Sequence, residues 1–340
     1  SVSRTRWSLV WLKLIVCVLI IFFAGQKVAK LGDVIAEKTG FGRVWMGVIA
    51  IALITSLPEL FAGISAVTLV KQPDLTVGNL TGANAFNLLN LALLDLFYRH
   101  GSIFTAASPS HRVTTWYSLL LLAAVAVSLF LSTPDRTLAL GWIGWYTPFI
   151  FLLYIISVRQ IFYYEKSHVK PPETPFYDEV TNFRQVVVYF VIASLFIVGA
   201  GIWLALIGDE IAMVTGWGQS FVGSIFLAFT TTLPEITVSF TALRIGAVDM
   251  AIANMIGSNL FNLAIIGVTD LAYKEGPVLA PVSDAALVTA GVVAAMSLLL
   301  ILGFHHTFRR VYRVSWLNAG LIALFLVGAR FYERAMPLAI

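Results

Sequence analysis

Two glutamates, Glu59 and Glu235, lie inside apolar runs long enough to cross a bilayer, and each occupies the same setting: TSLPEL at 55–60 and TTLPEI at 231–236. A carboxylate within a membrane span is costly and marks a functional site by default. A spacing of four places Thr55 and Glu59 on one helical face, one turn apart, with Ser56 beside them. Pro58 lies between, has no N–H and clashes with the carbonyl four residues back, so the helix is expected to kink and free the carbonyl of Ile54. The second setting repeats this with Thr231, Thr232, Pro234 and Glu235, freeing the carbonyl of Thr230. In hydrocarbon a freed carbonyl needs a partner, and a bound cation can be that partner. Hydroxyl, carbonyl and carboxylate oxygens are the hard ligands that Ca²⁺ takes in sets of six to eight.

A polar stripe follows each motif, VGNLTGANAFNLLN at 77–90 and IANMIGSNLFNLAI at 252–265. Asn79, Ala83 and Asn87 are spaced by four, as are Asn254, Ser258 and Asn262. Amide oxygens are neutral cation ligands, while Gly78, Gly82 and Gly257 are small enough to let helices approach. Asn, Ser and Gly also glue membrane helices together with no ligand at all. The whole symmetric set, joined to two intramembrane glutamates, favours the cation site. Two carboxylates supply two negative charges, which one Ca²⁺, two Na⁺ or two protons neutralise. A site neutral with either occupant and costly when empty favours exchange over leak.

The elements that must position these residues are membrane helices. The chain of 340 residues is 59% hydrophobic and only 12% charged, half the charge usual in soluble domains. Ten spans are expected, at 8–30, 41–70, 75–97, 113–132, 138–162, 184–207, 219–243, 250–272, 279–303 and 314–332. The runs are continuous rather than alternating, which argues against a β-barrel. The first is read as a span rather than a cleaved leader, because Gln26, Lys27 and Lys30 follow it instead of a small-residue cleavage site. The lone Cys17 excludes an intrachain disulfide.

The chain is a duplication. LGDVIAEKTGFG (31–42) recurs as IGDEIAMVTGWG (207–218), and Glu59 as Glu235, both offset by 176. Asn79, Asn87 and Asp95 recur as Asn254, Asn262 and Asp270, offset by 175. Each half then holds five spans, an odd number, so the second enters the membrane inverted. This is the plan of secondary transporters with a midplane site. The expected fold is an all-α integral membrane protein of two inverted five-helix repeats, 1–162 with its motif block at 50–95 and 184–340 with its block at 226–270. The polar, proline-interrupted linker 163–183 connects them.

Of the 22 Lys and Arg residues, ten spans put 8 on the side of the N-terminus and 14 on the other. Positive loops stay cytoplasmic, so both termini are placed outside and the linker inside, in a cell inner or plasma membrane. The net charge of +4 is no nucleic-acid signal. Asp74 and Asp249, at the starts of spans, read as helix caps. Asp95 and Asp270, near the ends of the same spans, suggest a salt bridge or a water-filled vestibule. Trp142, Trp145 and Tyr146 read as an interfacial aromatic belt. His305, His306, Arg309, Arg310 and Arg313 read as a cluster facing anionic membrane lipid.

The paired TSLPE and TTLPE segments, each followed by GN-x-x-G-x-N-x-x-N or its variant, resemble the α-repeats of the calcium/cation antiporter superfamily. The resemblance is closest to the short prokaryotic form of the sodium/calcium exchanger branch, and it covers essentially the whole chain. It implies that Glu59 and Glu235 are the central acidic ligands, that Thr55, Ser56, Thr231 and Thr232 add oxygens, and that Asn87, Ser258 and Asn262 complete the site. It also implies that the first span of each half, ending near Asp33 and Asp209, is a gate sliding across an eight-helix core. The chain departs from the pattern at Ile54 and Thr230 (usually Gly), at Ala83 (usually Ser) and at Ala253 (usually Gly). These departures open the family's usual ratio of three Na⁺ per Ca²⁺ to question. The leading expectation is Na⁺/Ca²⁺ antiport by a chain compatible with a monomer. H⁺- or K⁺-coupled exchange of Ca²⁺ or another divalent cation is the alternative, and a cation channel or a non-transporting relative stands further off. No HExxH, GxSxG or Cys/His pairing points to an enzyme, and no cofactor is expected. The ions are cargo.

Overall fold

The computed structural model describes residues 2–132, 138–168, 182–215, 227–305, 310–311 and 314–335. The apolar runs become long helices. In chain order they are α1 (Val2–Thr39), α2 (Arg43–Val70), α3 (Pro73–Phe97), α4 (Ser110–Leu131), α5 (Tyr146–His168), α6 (Phe183–Thr215), α7 (Leu227–Thr231 with Leu233–Arg244), α8 (Val248–Ala272), α9 (Ala285–His305) and α10 (Trp316–Ala335). Eight of the described helices are long and apolar enough to span a membrane. The described part of α7 is shorter than a full span, and the apolar stretch of α10 is Trp316–Phe331.

The structure is not wholly helical. Two short antiparallel ribbons precede α5 and α10: Ala139–Leu140 with Ile143–Gly144, and Arg310–Val311 with Val314–Ser315. The span expected at 138–162 therefore begins late, at Tyr146, because Gly141 turns the chain at φ 72. It runs on to His168, six residues into the expected linker. Residues 169–181, 219–226 and most of the His305–Arg313 cluster lie outside the described residues.

The halves are interleaved. α3 and α8 pack against each other at the centre, α2 and α7 flank them, α4 and α5 lie on α8, and α9 and α10 lie on α3. Burial follows that order: 89% of the most apolar window of α8 is buried, against 22% for α1. α1 and α6 pair with each other and cross the opposite repeat, α1 on α7 and α6 on α2. Gly201 of α6 makes one of these crossings possible, since a Cβ there would collide with the Pro58 ring. Gly257 does the same at the core, where an added Cβ would sit 2.6 Å from Val48 Cα. One apolar cluster draws on both repeats, so neither half has a core of its own.

Carboxylates pin the loops in matched pairs. Asp74 accepts from Ser283 N at 2.8 Å and Asp249 from Ser108 N at 2.7 Å, each pair joining one repeat to the other. Both aspartates do lie in the first turn of their helices, but the carboxylates are spent across the repeats rather than on the caps expected. Asp95 accepts from Ile103 N at 2.7 Å, Ser102 Oγ at 2.7 Å and Asn318 Nδ2 at 2.8 Å. Asp270 accepts from Val278 N at 2.7 Å, Thr147 Oγ1 at 2.6 Å, Gly144 N at 2.8 Å and Tyr146 Oη at 3.1 Å. Both are fully buried loop anchors rather than vestibule carboxylates. Tyr146, expected in an aromatic belt, is fully buried against Asp270, whereas Trp142 is exposed and carries Lys274 Nζ 3.7 Å above its ring.

Candidate cation site

The two prolines break their helices in the same way. α2 is interrupted at Ser56 and α7 at Thr232, two residues ahead of Pro58 and Pro234. Around the breaks Ser56 N reaches Ala52 O (3.0 Å) and Leu60 N reaches Ser56 O (3.1 Å), matched by Thr232 N to Ala228 O (3.2 Å) and Ile236 N to Thr232 O (3.1 Å). Each break starts a new helix, with Glu59 and Glu235 in its first turn. The positive end of a helix dipole makes a carboxylate more bearable there. The half-helix that ends at the break presents its carbonyl end to the same place, as cation sites in broken membrane helices require.

Thr55, Ser56, Glu59, Thr231, Thr232, Glu235, Ser258 and Asn262 are fully buried, and Asn87 and Thr230 nearly so, while Ile54 is half-buried. Glu59 and Glu235 belong to one buried centre, because the turn that leads into Glu59 bonds Glu235. Ser56 of one repeat donates to Glu235 Oε1 of the other at 3.1 Å, and Ser258 reaches the same oxygen at 3.5 Å. Thr55 Oγ1 lies 3.4 Å from Ser258 Oγ and donates to Asn254 Oδ1 at 3.2 Å. Thr231 and Thr232 turn their hydroxyls back to Ala228 O (3.4 Å) and Phe229 O (3.0 Å) of their own helix. The Thr232 oxygen therefore does not repeat the cross-repeat bond that its counterpart Ser56 makes.

Two residues beyond the expected ligands shape the site. Asn84 and Asn259 stand inside the GN-x-x-G-x-N-x-x-N pattern, and they form a two-fold clasp between α3 and α8. Asn84 Nδ2 donates to Asn259 O at 3.3 Å and Asn259 Nδ2 to Asn84 O at 3.2 Å. Their side-chain oxygens then take the amide hydrogens of the ligand candidates, Asn87 Nδ2 to Asn259 Oδ1 and Asn262 Nδ2 to Asn84 Oδ1, both at 3.0 Å. This fixes which way the two amides face and leaves Asn87 Oδ1 and Asn262 Oδ1 buried without a partner. The matched positions, offset by 175, were the signal that could have revealed the clasp.

The two repeats are unequal at the site. In the second, Asn254 Nδ2 is held by Glu235 O (3.3 Å) and Ser239 Oγ (3.0 Å). In the first, Gly63 stands where the repeat has Ser239, and Ala83 where it has Ser258. Both carboxylate oxygens of Glu59, both amide atoms of Asn79 and Glu235 Oε2 are buried with no hydrogen-bond partner. Unpaired buried oxygens are costly unless something else satisfies them. Glu59 Oε1 and Oε2, Glu235 Oε2, Asn87 Oδ1 and Asn262 Oδ1 are all hard acceptors of the kind a cation takes. No cluster of three His, Cys, Asp or Glu that could hold a metal ion occurs among the described residues.

Fold and site together define a multi-pass helical membrane protein with a buried, oxygen-lined polar centre. The chain belongs to the sodium/calcium exchanger protein family, whose model matches residues 9–159 and 185–331, and so to the calcium/cation antiporter superfamily. Among its relatives is the putative antiporter CaxA of Alkalimonas amylolytica, 27% identical over 292 residues that cover 83% of this chain and 86% of CaxA. Another is the inner membrane protein YrbG of Escherichia coli strain K12, 23% identical over 261 residues, or 74% of this chain and 76% of YrbG. A solved structure of the sodium-calcium exchanger NCX_Mj superposes with a TM-score of 0.73 at 20% identity, over 95% of this chain and 98% of that one. At that identity the likeness establishes a shared fold.

Proposed function

We propose that this chain is a secondary active antiporter that exchanges Na⁺ for Ca²⁺ by alternating access at the Glu59–Glu235 site. The observation that carries this reading is the set of buried acceptors without partners at the two glutamates and the asparagines beside them, three on Glu59 and Glu235 and two on Asn87 and Asn262. Thr55, Ser56, Thr231, Thr232 and Ser258, with the backbone carbonyls of Ile54 and Thr230, add further oxygens. Two negative charges balance one Ca²⁺ or two Na⁺, so the exchange is electroneutral. In the proposed topology ten spans form two inverted repeats, 1–162 and 184–340. Both termini lie outside and the 163–183 linker lies in the cytoplasm. α1 and α6, which cross the other repeat, are the gate.

Proton coupling is the second reading. It is favoured by Glu59, whose two unpartnered oxygens a proton would satisfy as readily as a cation. Uptake of radiolabelled Ca²⁺ into vesicles loaded with Na⁺, K⁺ or H⁺ separates the two. Uptake driven by internal Na⁺ supports the first reading, uptake driven by an outward proton gradient supports the second, and uptake independent of every gradient would sink both.

A further inference from the structure

α1 and α6 leave two grooves on their outer surface, and the repeat relates one groove to the other. The first, about 700 Å³, runs between Val16 and Lys30 of α1 and between Tyr189 and Phe196 of α6. The second, about 320 Å³, is lined by Ile20, Leu195, Phe196, Gly199, Ala200 and Trp203. Adding 176 to Leu19, Ile20, Phe23, Ala24 and Lys27 of the first gives Leu195, Phe196, Gly199, Ala200 and Trp203 of the second. The duplication thus built the same groove twice, in opposite senses, and the two copies differ in charge. Lys27 and Lys30 line one end of the first, where the second has Trp203 and, at the position matching Lys30, Leu206.

Neither lysine has an ion-pair partner among the described residues, and both are exposed. The walls below them are apolar and also exposed, with Phe23 at 62%, Leu19 at 48% and Phe196 at 59%. From Val16 to Lys30 the helix rises about 21 Å, longer than the roughly 15 Å hydrocarbon depth of one leaflet. An acyl chain can lie along the walls with its headgroup at the ammonium groups, and Tyr189 stands at the same end.

We propose that this groove binds an anionic phospholipid of the cytoplasmic leaflet, its phosphate held by Lys27 and Lys30 and one acyl chain lying between α1 and α6. The unpaired lysines supply the charge complement, and the uncharged sister groove shows that the fold itself does not require them. Anionic lipid is a cytoplasmic-leaflet component. The leaflet assignment rests on the orientation proposed above, whereas binding itself depends on neither that orientation nor the transported ions. Because the groove lies on the two crossing helices, its occupant would bias their movement.

The test is native mass spectrometry of the delipidated full-length chain titrated with dioleoyl phosphatidylglycerol or dioleoyl phosphatidylcholine. One phosphatidylglycerol should bind about 30-fold more tightly than phosphatidylcholine, as two lysine contacts would give. The Lys27→Gln/Lys30→Gln pair should abolish that preference, Lys27→Arg/Lys30→Arg should keep it, and Trp203→Ala in the sister groove should leave it intact. Equal retention of the two lipids, or an unchanged preference in the glutamine pair, overturns the proposal. Release of the bound lipid by inorganic phosphate alone would overturn it too, since the site would then recognise phosphate and not a lipid. A melting curve on each variant separates lost binding from lost fold.

Discussion

At the scale of single residues, the site is a balance between satisfied and unsatisfied oxygens. Glu235 has Ser56 and Ser258 at one oxygen, while Glu59 has no hydrogen-bond partner at either. Replacing either carboxylate by an amide removes one of two charges, and Glu59→Gln or Glu235→Gln should weaken Ca²⁺ binding by more than about 100-fold, read by isothermal titration on purified protein. Wild-type affinity in either variant would remove that carboxylate from the site. Ala83→Ser would restore the hydroxyl that the second repeat keeps at Ser258, and it should raise Na⁺ affinity in the flux assay with little effect on folding. The clasp makes a separate prediction. Either substitution leaves every proposed ligand in place, but Asn84→Ala frees the amide of Asn262 and Asn259→Ala that of Asn87. Cation affinity should fall about 10- to 100-fold, the range for residues that orient ligands from behind. The burial of the glutamates and their flanking hydroxyls at one centre was legible in the sequence, because a charge in hydrocarbon stands out from its surroundings. Asn84 and Asn259 were not, because an asparagine's role depends on which way its amide faces, and only packing sets that.

At the scale of elements, the prolines and glycines fix where the oxygens sit. The breaks at Ser56 and Thr232 fall where Pro58 and Pro234 lead one to expect them, so the kinks were readable from local chemistry. The element ends were less readable. A ribbon turning at Gly141 replaces the first residues expected of α5, since apolar residues in a hairpin at the membrane surface look like the start of a span. Asp74 and Asp249 were expected to cap their helices, and their carboxylates instead tie one repeat to the other, a long-range contact that helix-end patterns do not encode. Close helix approach is testable at Gly257, where a side chain would meet the backbone of Val48. Gly257→Ala should destabilise the protein by about 1–3 kcal/mol, the usual cost of overpacking, seen as a lower melting temperature. An unchanged melting curve would mean that α2 and α8 can part without loss.

At the scale of the whole molecule, α1 lies on α7, α6 on α2, and the polar stripes of α3 and α8, matched in the sequence at an offset of 175, face each other. What the offsets did not show was the exchange of partners, with α4 and α5 of one repeat resting on α8 of the other. Such an intertwined pair should unfold as one unit, without a half-folded intermediate, in a denaturant titration followed by tryptophan fluorescence. The proposed orientation rests on charge placement and can be checked at Ser167, which is exposed at the end of α5. In a Cys17→Ser background, Ser167→Cys should react with a membrane-impermeant maleimide only from the cytoplasmic side. The proposed electroneutral exchange rests on two carboxylates among the described residues of the site, so clamping the membrane potential in either direction should leave the rate unchanged, whereas three Na⁺ per Ca²⁺ would make it voltage-dependent. The central claim is that Glu59 and Glu235 form one site serving both ions. It is tested most directly by radiolabelled Ca²⁺ uptake into Na⁺-loaded vesicles carrying wild type, Glu59→Gln or Glu235→Gln. Gradient-driven uptake is expected in the wild type and none above background in either variant; full uptake in either variant would contradict the claim.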